Sequence, residues 1–533
     1  MNIRQALSAA HALGRTGILR PVRPLEYLRM AQLTFQWGAG LATASAIAAL
    51  RAPHRMAVVD DSGSMSWKEV EGEANAVAHA LARLDVGPGR TVGLMCRNNR
   101  FFLEASLAVS KLGADLVLFN TDFGPHQLGE VLKREGVDAA VFGDEFAPTF
   151  STAGFEGSSV PENQIREASI IEDRNPPEPP RRPGRIVIMT SGTTGVPKGA
   201  QRASLTPPFD TVVSAFSQLP LRAREPVIVS PPLFHLLGFG FMGFALGLQG
   251  TLVVRNRFDP ETVLADVAHH RATTLIAVPV MLQRILEIPE QTRRRYDTSS
   301  LRVIVCSGSR LSAELARSVM DAFGDILYNF YGSTETGWAT VAGPSDLKLA
   351  PGTVGRPPGG TQVVILDDHG VPVANGEIGR IFVGSGMAFE GYTGGGGKEV
   401  IAGLMSTGDT GYVDEAGRLF VEGRDDEMIV SGGENVFPGE VEELLRGHHA
   451  VVDAAVVGVD DEEMGHRLTA FVVSKPGSSL SSDEIKDYVR SHLARFKIPR
   501  HVEFVDAIPR NSMGKILRRS LLDGSTFGSQ GGR

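Results

Sequence analysis

Between Thr190 and Gly199 the chain packs three glycines, four hydroxyls and one lysine into ten residues: Thr190-Ser191-Gly192-Thr193-Thr194-Gly195-Val196-Pro197-Lys198-Gly199. Glycines let a backbone curl around an anion with its N–H groups pointing inward. The hydroxyls add donors and Lys198 adds a positive charge, so the composition is that of a phosphate-holding loop. It is not a Walker A loop: Gly199, not Ser or Thr, follows the lysine, and Pro197 stands where a helix should begin. The apolar run Ile186-Val187-Ile188-Met189 just before it predicts a short buried strand.

Further candidates follow downstream. Tyr331-Gly332-Ser333-Thr334-Glu335-Thr336-Gly337 sets an aromatic face beside glycine, on which a purine can stack. Its Glu335 is a hard oxygen ligand suited to Mg²⁺ held against phosphates. Ser307-Gly308-Ser309 ends an upstream strand. Ser406-Thr407-Gly408-Asp409 precedes Gly423-Arg424; a carboxylate can accept from both ribose hydroxyls, and a guanidinium can donate to the same sugar. Ser431-Gly432-Gly433-Glu434-Asn435 offers paired glycines past which a thin chain can run close to the backbone. Lys515 lies in Pro509-Arg510-Asn511-Ser512-Met513-Gly514-Lys515, between a strand and a basic segment. Taken singly, most of these are ordinary polar turns or surface charges.

Taken together and in this order, they resemble the adenylate-forming superfamily: acyl- and aryl-CoA synthetases, luciferases and peptide-synthetase adenylation domains. The resemblance covers roughly residues 40–520. It implies ATP, Mg²⁺ and CoA as reactants, with AMP and pyrophosphate released. Thr190, Ser191, Gly192, Thr193, Thr194, Gly195 and Lys198 would hold phosphates. Gly308, Ser309, Tyr331, Gly332 and Ser333 would surround adenine. Thr334 and Glu335 would serve catalysis, with Glu335 on the metal, and Asp409 and Arg424 would clamp ribose. Lys515 would bridge the attacking carboxylate and the α-phosphate. Asp426 would be the hinge that swings a small domain, bringing Gly432 and Gly433 to the pantetheine path. The chain departs from the family's pattern at Gly394-Gly395-Gly396-Gly397, which leaves that loop's course open. Residues 1–40 match nothing general in the family.

The resemblance also places an acyl pocket at His235, Gly238, Gly240, Val278 and Ser307. Amino-acid-activating relatives carry an aspartate near His235; here Leu and Phe surround a histidine. A buried ammonium without a partner would be costly, so an apolar acid is expected. A medium- or long-chain fatty acid is favoured over an aryl acid. The alternatives are an aryl-acid CoA ligase, a ligase that passes acyl-AMP to a carrier protein, and a catalytically silent nucleotide binder. The last would be marked by decay at Lys515, Glu335 or Asp409, all of which are present.

At 533 residues the chain exceeds one core, so two or more domains are expected. From about residue 55, short β-like runs alternate with helical ones, predicting α/β architecture. Trp67 to Leu84 and Phe101 to Leu112 read as helices, and Thr91 to Met95 and Ala139 to Phe142 as strands. A β-rich, Gly-rich stretch covers 352–423, and 436–515 alternates on its own. The expected organisation is a basic extension (1–40), a large α/β adenylation domain with a β-rich subdomain (41–424), a hinge (425–426), a small mobile α+β domain (427–522) and a flexible tail (523–533).

A formal net charge of −8 carries no nucleic-acid footprint. Cys96 and Cys306 lie in separate apolar runs and read as buried thiols, which suits a reducing, cytoplasmic setting. His269-His270 and His448-His449 lack further ligands at metal spacing and read as helix-surface pairs, and Asp460 to Glu463 reads as a solvated turn. Residues 1–59 hold seven arginines and a single acid, Glu26, and Met30 to Leu50 is uncharged. That span is Ala-rich and interrupted by Gln and Gly, which argues against a membrane helix. It reads as a helix packed on the main domain, with peripheral contact to anionic lipid as the alternative. Composition says nothing of oligomeric state.

Overall fold

The computed structural model describes residues 13–18, 23–190, 197–202, 209–431, 434–461 and 465–522. The predicted Ser191 to Gly195 stretch and Gly432-Gly433 therefore lie outside the described residues, and Thr190 and Asp426 are described by backbone alone.

Two sheets form the large α/β body. In one, eight strands run mostly parallel, with antiparallel edges at Gly63–Ser66 and Gly337–Ala342. In the other, seven strands centre on Thr91–Met95 and Asp115–Leu118, and Ile186–Thr190 turns back into Lys198–Arg202. Strands buried on both faces suit a parallel sheet.

After a helical turn at residues 13–16 come two helices, α1 (Pro24–Trp37) and α2 (Leu41–Arg51). The uncharged Met30–Leu50 span is thus broken at Gly38, whose φ of 68° suits a residue without Cβ. Among the described residues no helix is long and apolar enough to cross a membrane.

Helix α3 (Trp67–Ala82) starts on a capping box, in which Ser66 accepts from the Glu69 N–H and Glu69 reaches back to the Ser66 N–H. Helix α4 (Arg100–Leu112) is capped by Asn99 and ends on left-handed Gly113. It is buried on nearly every side, with Phe101, Phe102 and Leu103 fully covered, because both sheets pack on it. Helix α5 (Leu236–Gly247) is uniformly apolar apart from its glycines.

A five-stranded antiparallel sheet built around Leu404–Val413 follows. Beyond it a second five-stranded sheet carries α6 (Pro438–Arg446) and α7 (Ser482–His492) around a separate apolar core. Asp425–Glu427, a single 3-10 turn, links the two.

Three sequence expectations change. Asp460 and Asp461 belong to strand Val451–Asp461, paired with His466 and Gly465, because a long hairpin outruns the expected turn. His448 and His449 lie past the end of α6, where the His448 ring accepts from the Ala450 N–H at 3.2 Å. The tetraglycine loop has a defined course: Gly391-Tyr392 pairs with Gln201 and Ala200, and the Thr393 N–H bonds the Gly199 carbonyl at 3.0 Å. Both cysteines are buried and free.

Candidate active site

The predicted motifs converge on one cavity of about 2150 Å³ between the large body and the C-terminal sheet. Lys198, His235, Gly240, Ser307, Gly308, Ser309, Tyr331, Gly332, Ser333, Thr334, Glu335, Asp409, Arg424 and Lys515 all border it.

The Tyr331–Glu335 segment is shaped by its own strand. Leu327–Ser333 pairs with Gly337–Ala342, and the register slips at Gly332. A Cβ on Gly332 would lie 2.0 Å from the Gly337 carbonyl oxygen, so no other residue fits there. Ser333 Oγ then accepts from the Glu335 and Thr336 N–H groups at 3.2 and 3.1 Å, closing the tight turn. The Tyr392 hydroxyl donates to Glu335 Oε1 at 2.7 Å. Lys198 Nζ lies 5.3 Å from the Tyr392 ring centroid, so the base of the phosphate loop and the Glu335 carboxylate share one aromatic partner.

Arg202 supports this turn from beneath. It is buried, and its guanidinium donates to the Thr334 and Met387 carbonyls. Burial pushes its pKa down to about 10, against the pull of the Glu335 charge. A buried guanidinium bound to carbonyls fixes backbone position, which is what a metal- or phosphate-facing carboxylate needs.

Asp409 and Arg424 face each other across paired strands, with Arg424 Nε 3.6 Å from Asp409 Oδ1. The Tyr331 hydroxyl donates to Asp409 Oδ2 at 2.6 Å. The residue expected beneath adenine thus also holds the expected ribose acceptor. Burial raises the Asp409 pKa, while the Tyr331 hydroxyl and the Arg424 charge work against that rise.

Lys515 stands at the tip of a braced loop. Asn511 Oδ1 accepts from the Met513 and Lys515 N–H groups at 3.0 and 2.9 Å. Arg510 donates to the Gly514 carbonyl at 2.7 Å and forks onto the Asp453 carboxylate. The loop sits on the large body: a Cβ on Gly308 would lie 2.8 Å from Met513 Cε, and one on Gly514 would lie 2.8 Å from Val280. Gly308 also has φ +94°, so glycine is required there twice over. A half-exposed ion pair between Arg310 and Glu443, at 2.9 Å, also joins the two parts. Such pairs are weak.

His235 is half-buried under this loop, with Nε2 3.3 Å from Ser512 Oγ. Burial, and secondarily the Lys515 charge, push its pKa down to about 3. Unfolding restores the ordinary value, so the unfolded chain binds one more proton between about pH 6.5 and 3. Stability from this group is therefore present above pH 6.5 and falls with acidification, by about 1.4 kcal/mol per pH unit. His235→Asn should flatten the melting-temperature-versus-pH curve between pH 6 and 4; an unchanged slope would show that His235 is not held neutral.

Two expected pocket residues lie elsewhere. Gly238 is in the first turn of α5 against the Pro232 carbonyl, which a Cβ would meet at 2.3 Å. Val278 is fully buried beneath Gly308 and Met513. On α5, Gly238 is packed inward, while Gly240, Gly243 and Gly247 border the cavity beside Leu236, Leu237, Phe239, Phe241 and Phe244. A Cβ on Gly240 or Gly247 would meet nothing within 4 Å, and Leu41, Ala44 and Ile47 of α2 border the same space. Phe241, Phe244 and Trp338 add aromatic walls, with Trp338 stacked on Phe244 at 5.6 Å. Among the described residues no cluster of three His, Cys, Asp or Glu side chains could hold a metal. Glu335 alone fits an ion that takes its remaining ligands from substrate phosphates and water.

Comparison with known proteins agrees with this geometry. The chain matches the family described as AMP-binding enzyme over residues 46–393, and the AMP-binding enzyme C-terminal domain over 440–515. It is 33% identical over 476 residues to a feruloyl-CoA synthase of Amycolatopsis sp, covering 87% of this chain and 95% of that one. It is 29% identical over 492 residues to the fatty acid–[acyl-carrier-protein] ligase ScoC of Streptomyces coeruleorubidus, covering 88% and 93%. The structure of the Bacillus subtilis o-succinylbenzoate CoA synthetase in complex with its acyl-adenylate superposes with a TM-score of 0.80 at 27% identity, covering 92% and 98%.

Proposed function

Because the chain belongs to the AMP-binding, adenylate-forming enzyme family and activates a carboxylic acid with ATP to an acyl-adenylate and then a CoA thioester, we propose that its acid is a medium- or long-chain fatty acid. The observation that carries this reading is the bare face of α5. Gly240, Gly243 and Gly247 leave an apolar trough, walled by α2, that continues away from His235. An extended alkyl chain fills such a trough, whereas a single ring occupies only its start.

In this reading the acid's carboxylate lies near His235, whose neutral ring adds no competing charge. A carboxylate oxygen attacks the α-phosphorus of ATP, the new P–O bond forms, and the bond to pyrophosphate breaks. Lys515 neutralises the charge shared between the two reactants. Glu335 would hold Mg²⁺, which would supply positive charge to the phosphates. Asp409 and Arg424 fix the ribose, and Tyr331 lies beside the adenine. The small domain then turns about Asp426. Lys515 withdraws, Gly432 and Gly433 approach, and the CoA sulfur attacks the acyl carbon with AMP as leaving group.

A second reading, an aryl acid, is favoured by the feruloyl and o-succinylbenzoate relatives and by the aromatic wall at Trp338 and Phe244. A carrier protein as acceptor is suggested by the likeness to ScoC. Chain-length profiling of wild type and Gly240→Phe separates the substrates. The fatty-acid reading expects the phenyl ring to block the trough and lower kcat/KM for dodecanoate by about 10²-fold, while hexanoate changes by less than about threefold. Uniform loss across all chain lengths, or a wild-type preference for ferulate, would count against it.

A further inference from the structure

Helix α1 has two apolar faces, and only one is used. Glu26, Met30, Leu33 and Trp37 recur at helical spacing and turn toward the protein, with Trp37 buried. The opposite stripe, Pro24, Leu28, Ala31 and Phe35, is exposed; Leu28 is 68% and Phe35 91% accessible, and neighbouring Leu25 is 58% accessible. Monomeric proteins rarely leave so continuous an apolar strip in water.

The helix is held so that this strip must face outward. Fully buried Lys111 of α4 lies 4.8 Å from the Trp37 ring centroid and pairs with Glu71 of α3 at 2.5 Å. Ser45 of α2 donates to the same Glu71 at 2.6 Å. This buried network anchors α1 at its C-terminal end and fixes its roll. Met30, Thr34 and Trp37 of α1 also border the large cavity.

We propose that the outer face of α1, a helix that itself borders the large cavity, docks on an anionic lipid bilayer. Charge selects this occupant over a second copy of the chain. Arg23 at the N-cap of α1 and Arg29 on it are exposed, and the helix's one acid, Glu26, is half-buried. The rest of the molecule is net acidic, so a second copy offers no general complement to these arginines, whereas acidic headgroups do. An apolar strip flanked by arginines rests at the headgroup–acyl boundary. The arrangement deepens the fatty-acid reading, since an alkyl acid partitions into the same bilayer, but the docking is tested without turnover.

Full-length protein is sedimented with vesicles of phosphatidylcholine alone, or of phosphatidylcholine with phosphatidylglycerol. Wild type should bind the anionic vesicles at least about fivefold more than the neutral ones, and Leu28→Ser/Phe35→Ser and Arg23→Gln/Arg29→Gln should each reduce that binding by about tenfold. Both variants should keep wild-type turnover of hexanoate in solution. Equal binding of wild type and Leu28→Ser/Phe35→Ser overturns the proposal, as does equal binding to neutral vesicles. So does a wild-type dimer in solution that the apolar variant lacks, because the strip would then be covered by a second copy. Failure of the fatty-acid reading alone would leave the sedimentation result intact.

Discussion

Lys515→Ala should lower the rate of acyl-adenylate formation by about 10²–10³-fold, the range of about 2.7–4 kcal/mol that follows removal of one preorganised charge-stabilising group. The same variant, given synthetic acyl-adenylate and CoA, should form thioester within a few-fold of wild type. The split follows from where the loop sits. Lys515 borders the cavity with Asp409 and His235, its charge is felt at both, and Met513 and Gly514 seat its loop on the large body. That is the arrangement the first half-reaction needs. In the proposed rotation the same loop leaves before the second, so the side chain has nothing to stabilise there. Burst measurements of pyrophosphate and single-turnover thioester formation read the two steps separately. Equal loss in both would show that Lys515 supports the fold of the small domain, not the chemistry.

Asp409→Asn should raise the KM for ATP by about 10²-fold, corresponding to about 1.5–3 kcal/mol for hydrogen bonds to a charged group, with a smaller change in kcat. The melting temperature should hold or rise. Burial raises the Asp409 pKa, which means the folded protein disfavours the charge it carries there. The neutral amide removes that cost. A site that gains stability when its polar group is neutralised is one where stability has been given up for binding. A fall of several degrees with unchanged ATP affinity would mean that Asp409 is a structural partner of Tyr331 and nothing more.

Much of this site was legible because its parts are local. Glycine at 332, hydroxyl at 333 and carboxylate at 335 specify a turn within five residues, and the strand before it is a plain apolar run. Asp409 and Arg424 were legible as separate turns, but their mutual register depends on a strand pairing that spacing alone does not state. The supports were harder to see. Arg202 reads as one more exposed arginine until Thr334 and Met387 close over it. Tyr392 reaches Glu335 across 57 positions, and Arg510 reaches Asp453 across the same number. The one available signal, Asn511 four residues before Lys515 in a turn, was the common Asx pattern that braces a loop. Gly238 and Val278 were misplaced for a different reason. Composition marks an apolar, small-residue neighbourhood, but which members face the cavity depends on the roll of α5 and on how deep Val278 lies beneath Gly308. Gly247 lies on the open face and was missed, because a glycine at the end of a helix reads first as a terminator.

One competition experiment tests the account most directly. The protein is given ATP, Mg²⁺, CoA and equimolar dodecanoate, ferulate and o-succinylbenzoate, and the products are resolved by mass spectrometry. The account predicts AMP together with dodecanoyl-CoA as the dominant thioester. Feruloyl-CoA or succinylbenzoyl-CoA in excess would contradict the alkyl trough, and dodecanoyl-adenylate accumulating without thioester would contradict CoA as the acceptor.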